Sequence, residues 1–372
     1  RYDLSLNRAA DVPRQIGSTM KPLAAYALGI EKGVINYSSL IADAPLYTQQ
    51  DHRMLNTEYC RKLGLSLDPG DPANQARDDV WRAWPTNYNG PGTGRPVVVA
   101  DALAQSLNTV PVQIGDMLGK RRLFDFAYGS LGLTHLDPER DNDLGPLVLG
   151  SQTHGVTPMA LAAAFQIFYD GEYTTPHLYT RVLDRDGNIY MESNDTSYQA
   201  LTPQTAYVMN RLLKNVLFSS VGTASGRYPN SNGMEAFGKT GTASDEKDLW
   251  FVGGTPYYVT AVWWGYDAPF DMTKTLGKQQ AKTRTCVMAW KALMEQIQAE
   301  LPYKAFPAAD GVVERSYCTQ SGLLAGGSCP STAVGYYRAD DLPDVCNYSH
   351  GQAAVASEPL APEPDTTGLD TD

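Results

Sequence analysis

Three short runs of this sequence hold side chains from which an acyl-transfer site can be assembled: Ser18 with Lys21, Ser106 with Asn108, and Lys239-Thr240-Gly241-Thr242. A serine hydroxyl is a poor nucleophile at neutral pH until a neighbouring amine of lowered pKa takes its proton. Ser18 and Lys21 are three residues apart, which sets hydroxyl and amine on one face of a helix, and the free amides of a helix start can help hold negative charge. Ser106 offers a second hydroxyl able to share protons, and Asn108 a carboxamide able to bind a peptide amide. Lys239 adds positive charge, Thr240 and Thr242 add hydroxyls suited to a carboxylate, and Gly241 keeps a strand position clear of a side chain. Ser-x-x-Lys alone arises by chance; the three runs in this order do not.

The elements that must position these groups are legible in outline. Residues 16–33 read as a helix of roughly three turns, apolar and small from Pro22 to Ile30, with Gly29 and Gly33 as stop signals. Pro22 is tolerated because first-turn N–H groups have no intrahelical partner. Pro96–Leu107 has a helical apolar stripe ending near Asn108, so Ser106 and Asn108 fall at a helix end or the turn after it. Further helical stretches, 108–117, 119–131, 158–169 and 203–217, predict a helical lobe over about 18–220. One hairpin interrupts it around Arg185-Asp186-Gly187. Residues 68–95 are dense in Pro, Gly, Asp and Asn and must be mostly loop, with Trp81, Trp84 and Tyr88 either pinning it to the body or lining a groove. Residues 234–242, 249–254 and 257–266 predict an antiparallel meander, and an amphipathic helix over 283–300 is suited to cover it, with Cys286 a buried small hydrophobe. Residues 351–372 are Ala, Pro, Glu, Thr and Asp with almost no large apolar residue, a disordered composition.

Composition narrows the function. An apolar fraction of 42% and a charged fraction of 19% are globular values. A net charge of -11 with no basic cluster excludes a nucleic-acid binder. No run of eighteen apolar residues exists. His52, His135, His154, His177 and His350 are scattered, and the five cysteines, Cys60, Cys286, Cys318, Cys329 and Cys346, match no zinc spacing, so neither a cofactor nor a metal is expected. Three of those cysteines lie near the end of the ordered sequence, which points to a local disulfide in an oxidising space.

The set Ser-x-x-Lys, Ser-x-Asn, Lys-Thr-Gly is the signature of penicillin-binding proteins and class A β-lactamases. The flanks NRAADVPRQIGSTMKP, PTNYNGPGTGRPVVVADALAQSLNTVPVQI, GSQTHGVTPMALAAAFQIFYDGEY and EAFGKTGTASDEKDLWFVGGTPYYVTAVWWGYD resemble the transpeptidase domain of a class A (bifunctional) penicillin-binding protein of Gram-positive type. The resemblance implies an α+β fold, an antiparallel sheet flanked by helices plus a helical lobe. It places a transpeptidase domain over 1–303, a cysteine-containing extension over 304–350 and the tail over 351–372. It also implies the site: Ser18 as nucleophile, Lys21 as base, Ser106 as relay, Lys239 as cation, with Asn108, Thr240, Gly241 and Thr242 holding substrate and the backbone N–H groups of Ser18 and Thr242 forming an oxyanion hole. The implied substrate is a peptidoglycan stem peptide ending in D-Ala-D-Ala, and β-lactams would be covalent inhibitors. Ile16 stands where the family usually has proline, a change that does no chemistry.

Two rival readings remain. A serine β-lactamase needs a water-activating carboxylate between the second and third motifs, and Glu139-Arg140-Asp141-Asn142 fits Glu-x-x-Asn. A non-catalytic peptidoglycan-binding scaffold would be expected to lack Ser18, Lys21 or Lys239, and all three are present. By resemblance to Gram-positive enzymes the expected disulfide is Cys318–Cys329, slightly favoured over one using Cys346, with Cys60 and Cys286 unpaired. The resembled domain also has a five-stranded sheet, two strands of which precede the nucleophile, and a glycosyltransferase domain and membrane anchor upstream that hold it at the outer face of the cytoplasmic membrane. Those early strands are not found here, so the chain reads as a piece of a longer polypeptide, and the outer edge of 257–266 is expected to be bare.

Overall fold

The computed structural model describes residues 6–194, 196–228, 233–276 and 283–350. The expected disorder of 351–372 lies outside the described residues.

The run that begins beside Ser18 winds in three styles: a 3-10 turn over Gly17–Thr19, a wide π turn over Pro22–Tyr26, and helix α1 over Ala27–Glu31. Pro22 cannot donate a backbone hydrogen bond, and a widened turn is one way a helix absorbs that loss. Residues 19–30 are all buried, so this is a core helix and not an amphipathic surface one.

Around it lie α2 (Thr57–Leu63), α3 (Pro72–Gln75), α4 (Val99–Ala104), α5 (Thr109–Leu118), α6 (Lys120–Asp125), α7 (Pro158–Phe165), α8 (Ile167–Asp170) and α9 (Pro203–Phe218). Thr157 and Thr202 cap α7 and α9 through their side chains, each followed by proline at the first helical position. Short antiparallel pairs tie the connections: β1 (Leu40–Ala42) with β2 (Pro96–Val98), β3 (Glu172–Thr174) with β6 (Ser197–Gln199), and β4 (Arg181–Leu183) with β5 (Ile189–Glu192). The last is the expected hairpin, turned at Gly187 with φ 85°. In the long loop Trp81 is buried and stacks on His52, and Trp84 stacks on Tyr47, while Tyr88 is 89% exposed. Two of the three aromatics therefore pin the loop.

The meander is present as β7 (Phe237–Thr242), β8 (Asp248–Gly254) and β9 (Val259–Gly265), antiparallel and in that order. Phe237 meets Phe168 of α8 on one face, and Phe251 meets Trp290 of the covering helix α11 (Arg284–Ile297) on the other. Helix α10 (Met272–Leu276) precedes it. Cys286 is buried, its thiol against the Leu249 carbonyl. Among the described residues no strand pairs with the outer edge of β9; its residues are all half-buried, whereas those of β8 are all buried.

Residues 304–350 contain a hairpin that the sequence reading left without strands, β10 (Val312–Cys318) and β11 (Thr332–Arg338). It docks on the helical lobe. Tyr337 Oη donates to Ser38 Oγ at 2.8 Å, and Arg338 Nη1 donates to the carbonyls of Ile30 and Glu31 at 3.2 and 2.9 Å. The last carbonyls of a helix lack intrahelical donors, so a guanidinium there satisfies them and suits the negative end of the helix dipole. The expected Cys318–Cys329 disulfide is not formed in the structure: all five cysteines are free, and Cys318 and Cys329 share their space with Cys346 and His350.

Candidate active site

Lys21 and Lys239 are far apart in the sequence and meet at one hydroxyl. The fully buried Lys21 ammonium donates to Ser106 O at 2.7 Å, Asn108 Oδ1 at 2.6 Å and Ser106 Oγ at 3.3 Å. Lys239, also fully buried, donates to the same Ser106 Oγ at 2.7 Å and to Thr240 O at 3.1 Å. None of these partners is a carboxylate. Burial therefore pushes Lys239 down to about 7, and burial followed by the nearby charge of Lys239 holds Lys21 well below the usual lysine range. Two amines of lowered pKa around one hydroxyl form a proton-sharing set.

The backbone at Ser106 explains how its side chain reaches that point. Helix α4 ends in a Schellman arrangement, with Ser106 N–H on Leu103 O at 3.1 Å and Leu107 N–H on Ala102 O at 3.0 Å. Ser106 occupies the left-handed position of that motif, φ 60°, where glycine is usual. Asn108 then starts α5. Its carboxamide is engaged on both sides, accepting from Lys21 and donating through Nδ2 to Thr86 O at 2.6 Å.

Two polar residues that sequence reasoning missed hold this turn. Asn87 Oδ1 accepts from Asn108 N–H at 2.6 Å, and Asn87 Nδ2 donates to Asp43 Oδ1 at 2.6 Å. Asp43 also accepts from Thr109 Oγ1 at 2.7 Å and Thr93 N–H at 2.8 Å. Burial works against the Asp43 carboxylate, but the three donors outweigh it and keep its pKa below the usual value. Asn87 sits in the Asn-Gly-rich loop, whose composition signals turns and nothing more specific.

Ser18 is half-buried at the start of the helical run. Its turn is pressed against the strand that carries Lys239. Gly17 adopts φ 52° with its N–H on Gly150 O at 3.1 Å, and a Cβ added there would lie 2.2 Å from Thr242 O and 3.0 Å from Thr242 N. The backbones of Gly17, just before Ser18, and Thr242 are therefore neighbours. Ile16 is fully buried. At Gly241 a Cβ would strike Ile16 O at 2.5 Å and Thr19 Cγ2 at 2.8 Å, so its smallness lets β7 and the Ser18 turn touch. Thr242 is exposed at the strand end, whereas the buried Thr240 shares a hydrogen bond with Thr223 at 2.8 Å. Glu139 is exposed with its N–H on Asp137; from that region it is Gly150 and Gln152 that reach the Ser18 turn.

The family model described as "Penicillin binding protein transpeptidase domain" matches residues 69–278. The chain belongs to this family. The matched range holds the Ser106 and Lys239 runs, and Ser18 and Lys21 precede it. Penicillin-binding protein 1A of Clostridium tetani is 31% identical over 358 residues, 94% of this chain and 42% of that protein. Penicillin-binding protein 4 of Bacillus subtilis is 32% identical over 271 residues, 72% and 36% of the two chains. The chain thus spans about two fifths or less of these relatives. Penicillin-Binding Protein 1A from Haemophilus influenzae superposes with a TM-score of 0.68 at 19% identity, over 91% of this chain and 50% of that one. The D,D-transpeptidase domain of a peptidoglycan glycosyltransferase from Eggerthella lenta gives 0.55 at 20% identity, over 78% and 68%. The fold is therefore the α+β transpeptidase fold of penicillin-binding proteins. No helix among the described residues is long and apolar enough to cross a membrane.

Proposed function

We propose that the chain is the transpeptidase unit of a peptidoglycan synthase and works through an acyl-enzyme on Ser18. The observation that carries this reading is the convergence of Lys21 and Lys239 on the Ser106 hydroxyl, both buried and neither paired with a carboxylate. Lys21, its pKa held down by burial, takes the Ser18 proton as Oγ bonds to the carbonyl carbon of the penultimate D-Ala. The oxyanion is held by the N–H groups of Ser18 and Thr242, a pairing supported by the close approach of Gly17, the residue before Ser18, to the Thr242 backbone. The proton passes through Ser106 to the nitrogen of the terminal D-Ala, the C–N bond breaks, and the amine of a neighbouring stem resolves the ester into a crosslink. Lys239 with the Thr242 hydroxyl draws in the substrate carboxylate, and Thr240 supports that strand from behind through Thr223. Asn108 orients Lys21 and, once its Nδ2 exchanges Thr86 for substrate, the donor peptide. No step calls for a cofactor. Catalysis takes place at the outer face of the cytoplasmic membrane, where the stem peptides are, with anchor, glycosyltransferase domain and remaining sheet strands supplied by the same polypeptide.

A fluorescent penicillin, denaturing gel and intact mass test this directly. One covalent adduct per chain, absent in Ser18→Ala, is expected. Equal labelling of Ser18→Ala, or no label on the full-length protein, overturns the reading. Release of the adduct within seconds that stops in Glu139→Gln would instead establish a β-lactamase.

A further inference from the structure

The three late cysteines do not sort into a pair and a leftover. One ligand atom from each of Cys318, Cys329, Cys346 and His350 lies within 4.8 Å of all the others, with Cys318 and Cys346 buried and Cys329 and His350 half-buried. His350 Nε2 is 3.5 Å from Cys318 Sγ and 3.3 Å from Cys346 Sγ. Its other nitrogen, Nδ1, faces Gln320 Oε1 at 3.0 Å. A carboxamide oxygen only accepts, so the ring proton sits on Nδ1 and the Nε2 lone pair points at the sulfurs. Two of the sulfurs are already held by hydrogen bonds: Gly326 N–H on Cys329 at 3.3 Å and Ser321 Oγ on Cys346 at 3.1 Å. Zinc bonds of about 2.3 Å to sulfur and about 2.0–2.1 Å to nitrogen in a tetrahedron set S···N edges of about 3.5 Å, the separation found here. The backbone holds the geometry too, since Cys318 and Cys346 donate their N–H groups to the adjacent carbonyls of Leu323 and Leu324.

We propose that Cys318, Cys329, Cys346 and His350 form a structural zinc site that staples the segment around 346–350 to the β10–β11 hairpin. Four protein ligands close the coordination sphere and leave no position for substrate. As three Zn–S bonds form, three thiol protons leave to solvent, and nothing is oxidised or reduced. A single disulfide would use two sulfurs and leave the third, the imidazole and its Gln320 partner without a purpose. The chain spacing hides the site: ten residues separate the first two ligands, sixteen the next two, and only Cys346 and His350, three residues between them, have a zinc-like interval. The proposal is independent of the acyl-transfer reading.

The test is metal analysis of the full chain purified with reductant and without chelator. One zinc per chain is expected, with cobalt substitution giving sulfur-to-metal charge-transfer bands and tetrahedral d–d bands. Cys346→Ser and His350→Ala should lose the metal, and Gln320→Ala, which leaves all four ligands in place, should weaken zinc binding about 10–100-fold. The proposal fails if the reduced chain takes up no zinc or cobalt, or if both ligand variants retain one zinc each. It fails equally if the native chain has a mass lower by two hydrogens with three free thiols, the five less a bridged pair.

Discussion

The left-handed backbone at Ser106 makes a prediction that separates conformational strain from chemistry. Ser106→Ala and Ser106→Gly both delete Oγ, so Lys239 keeps only Thr240 O while Lys21 keeps Ser106 O and Asn108 Oδ1. Only alanine retains a Cβ at φ 60°. An L-residue in that region costs about 1–2 kcal/mol, and glycine's greater freedom in the unfolded chain returns roughly 0.5–1 kcal/mol of that difference. The glycine variant should therefore be the more stable by about 0.5–1 kcal/mol, a melting difference of about 1 °C in a chain of this size. Removing the proton relay should slow penicillin acylation about 10²-fold or more in both variants, to rates within about threefold of each other. Calorimetry and stopped-flow acylation of the same preparations read the two quantities. An alanine variant that melts as high as the glycine one would refute the strain. Acylation within about threefold of wild type in either would refute the relay.

Two further outcomes follow from the same geometry. Gly241→Ala places a Cβ 2.5 Å from Ile16 O, about 0.9 Å short of an ordinary 3.4 Å contact; strand and nucleophile turn must part by about that much, and acylation should fall about 10²-fold with the protein still folded, a wild-type rate showing that the close approach is not needed. Lys239, held near 7 by burial, loses its charge as pH rises through that value, so acylation should have an alkaline limb that Lys239→Arg removes; because the unfolded lysine binds its proton up to about 10.5, stability should rise with pH between the two values, and a flat melting temperature there would contradict the depressed pKa.

The site was legible where its chemistry is carried by residue type. Ser18, Lys21, Ser106 and Lys239 stand in short runs whose order is itself information, and the structure brings Lys21, Ser106, Asn108 and Lys239 into contact. The helices of the lobe and the three-stranded meander were legible from periodicity and turn residues, because each closes over a short stretch of chain. What stayed hidden closes over long distances without a period. Asp43, Asn87 and Thr109 meet across a loop whose polar composition fits solvent equally well. The role of Gly241 depends on what faces it, a turn over 200 residues away, and the spacing of the late cysteines conceals that they converge. β10 and β11 escaped because their alternation is broken by the Gly- and Ser-rich stretch between them.

Arg338, set against the end of α1, has a consequence for timing. The α1 helix leaves the ribosome well before β11 does, yet its closing carbonyls bond to a guanidinium 307 and 308 positions later. Ser38, just beyond that helix, likewise waits for Gly322 and Tyr337. Contacts of such separation form late, after most of the chain entropy has been surrendered. A growing chain therefore presents Ser18 before the β10–β11 hairpin can complete the scaffold behind it.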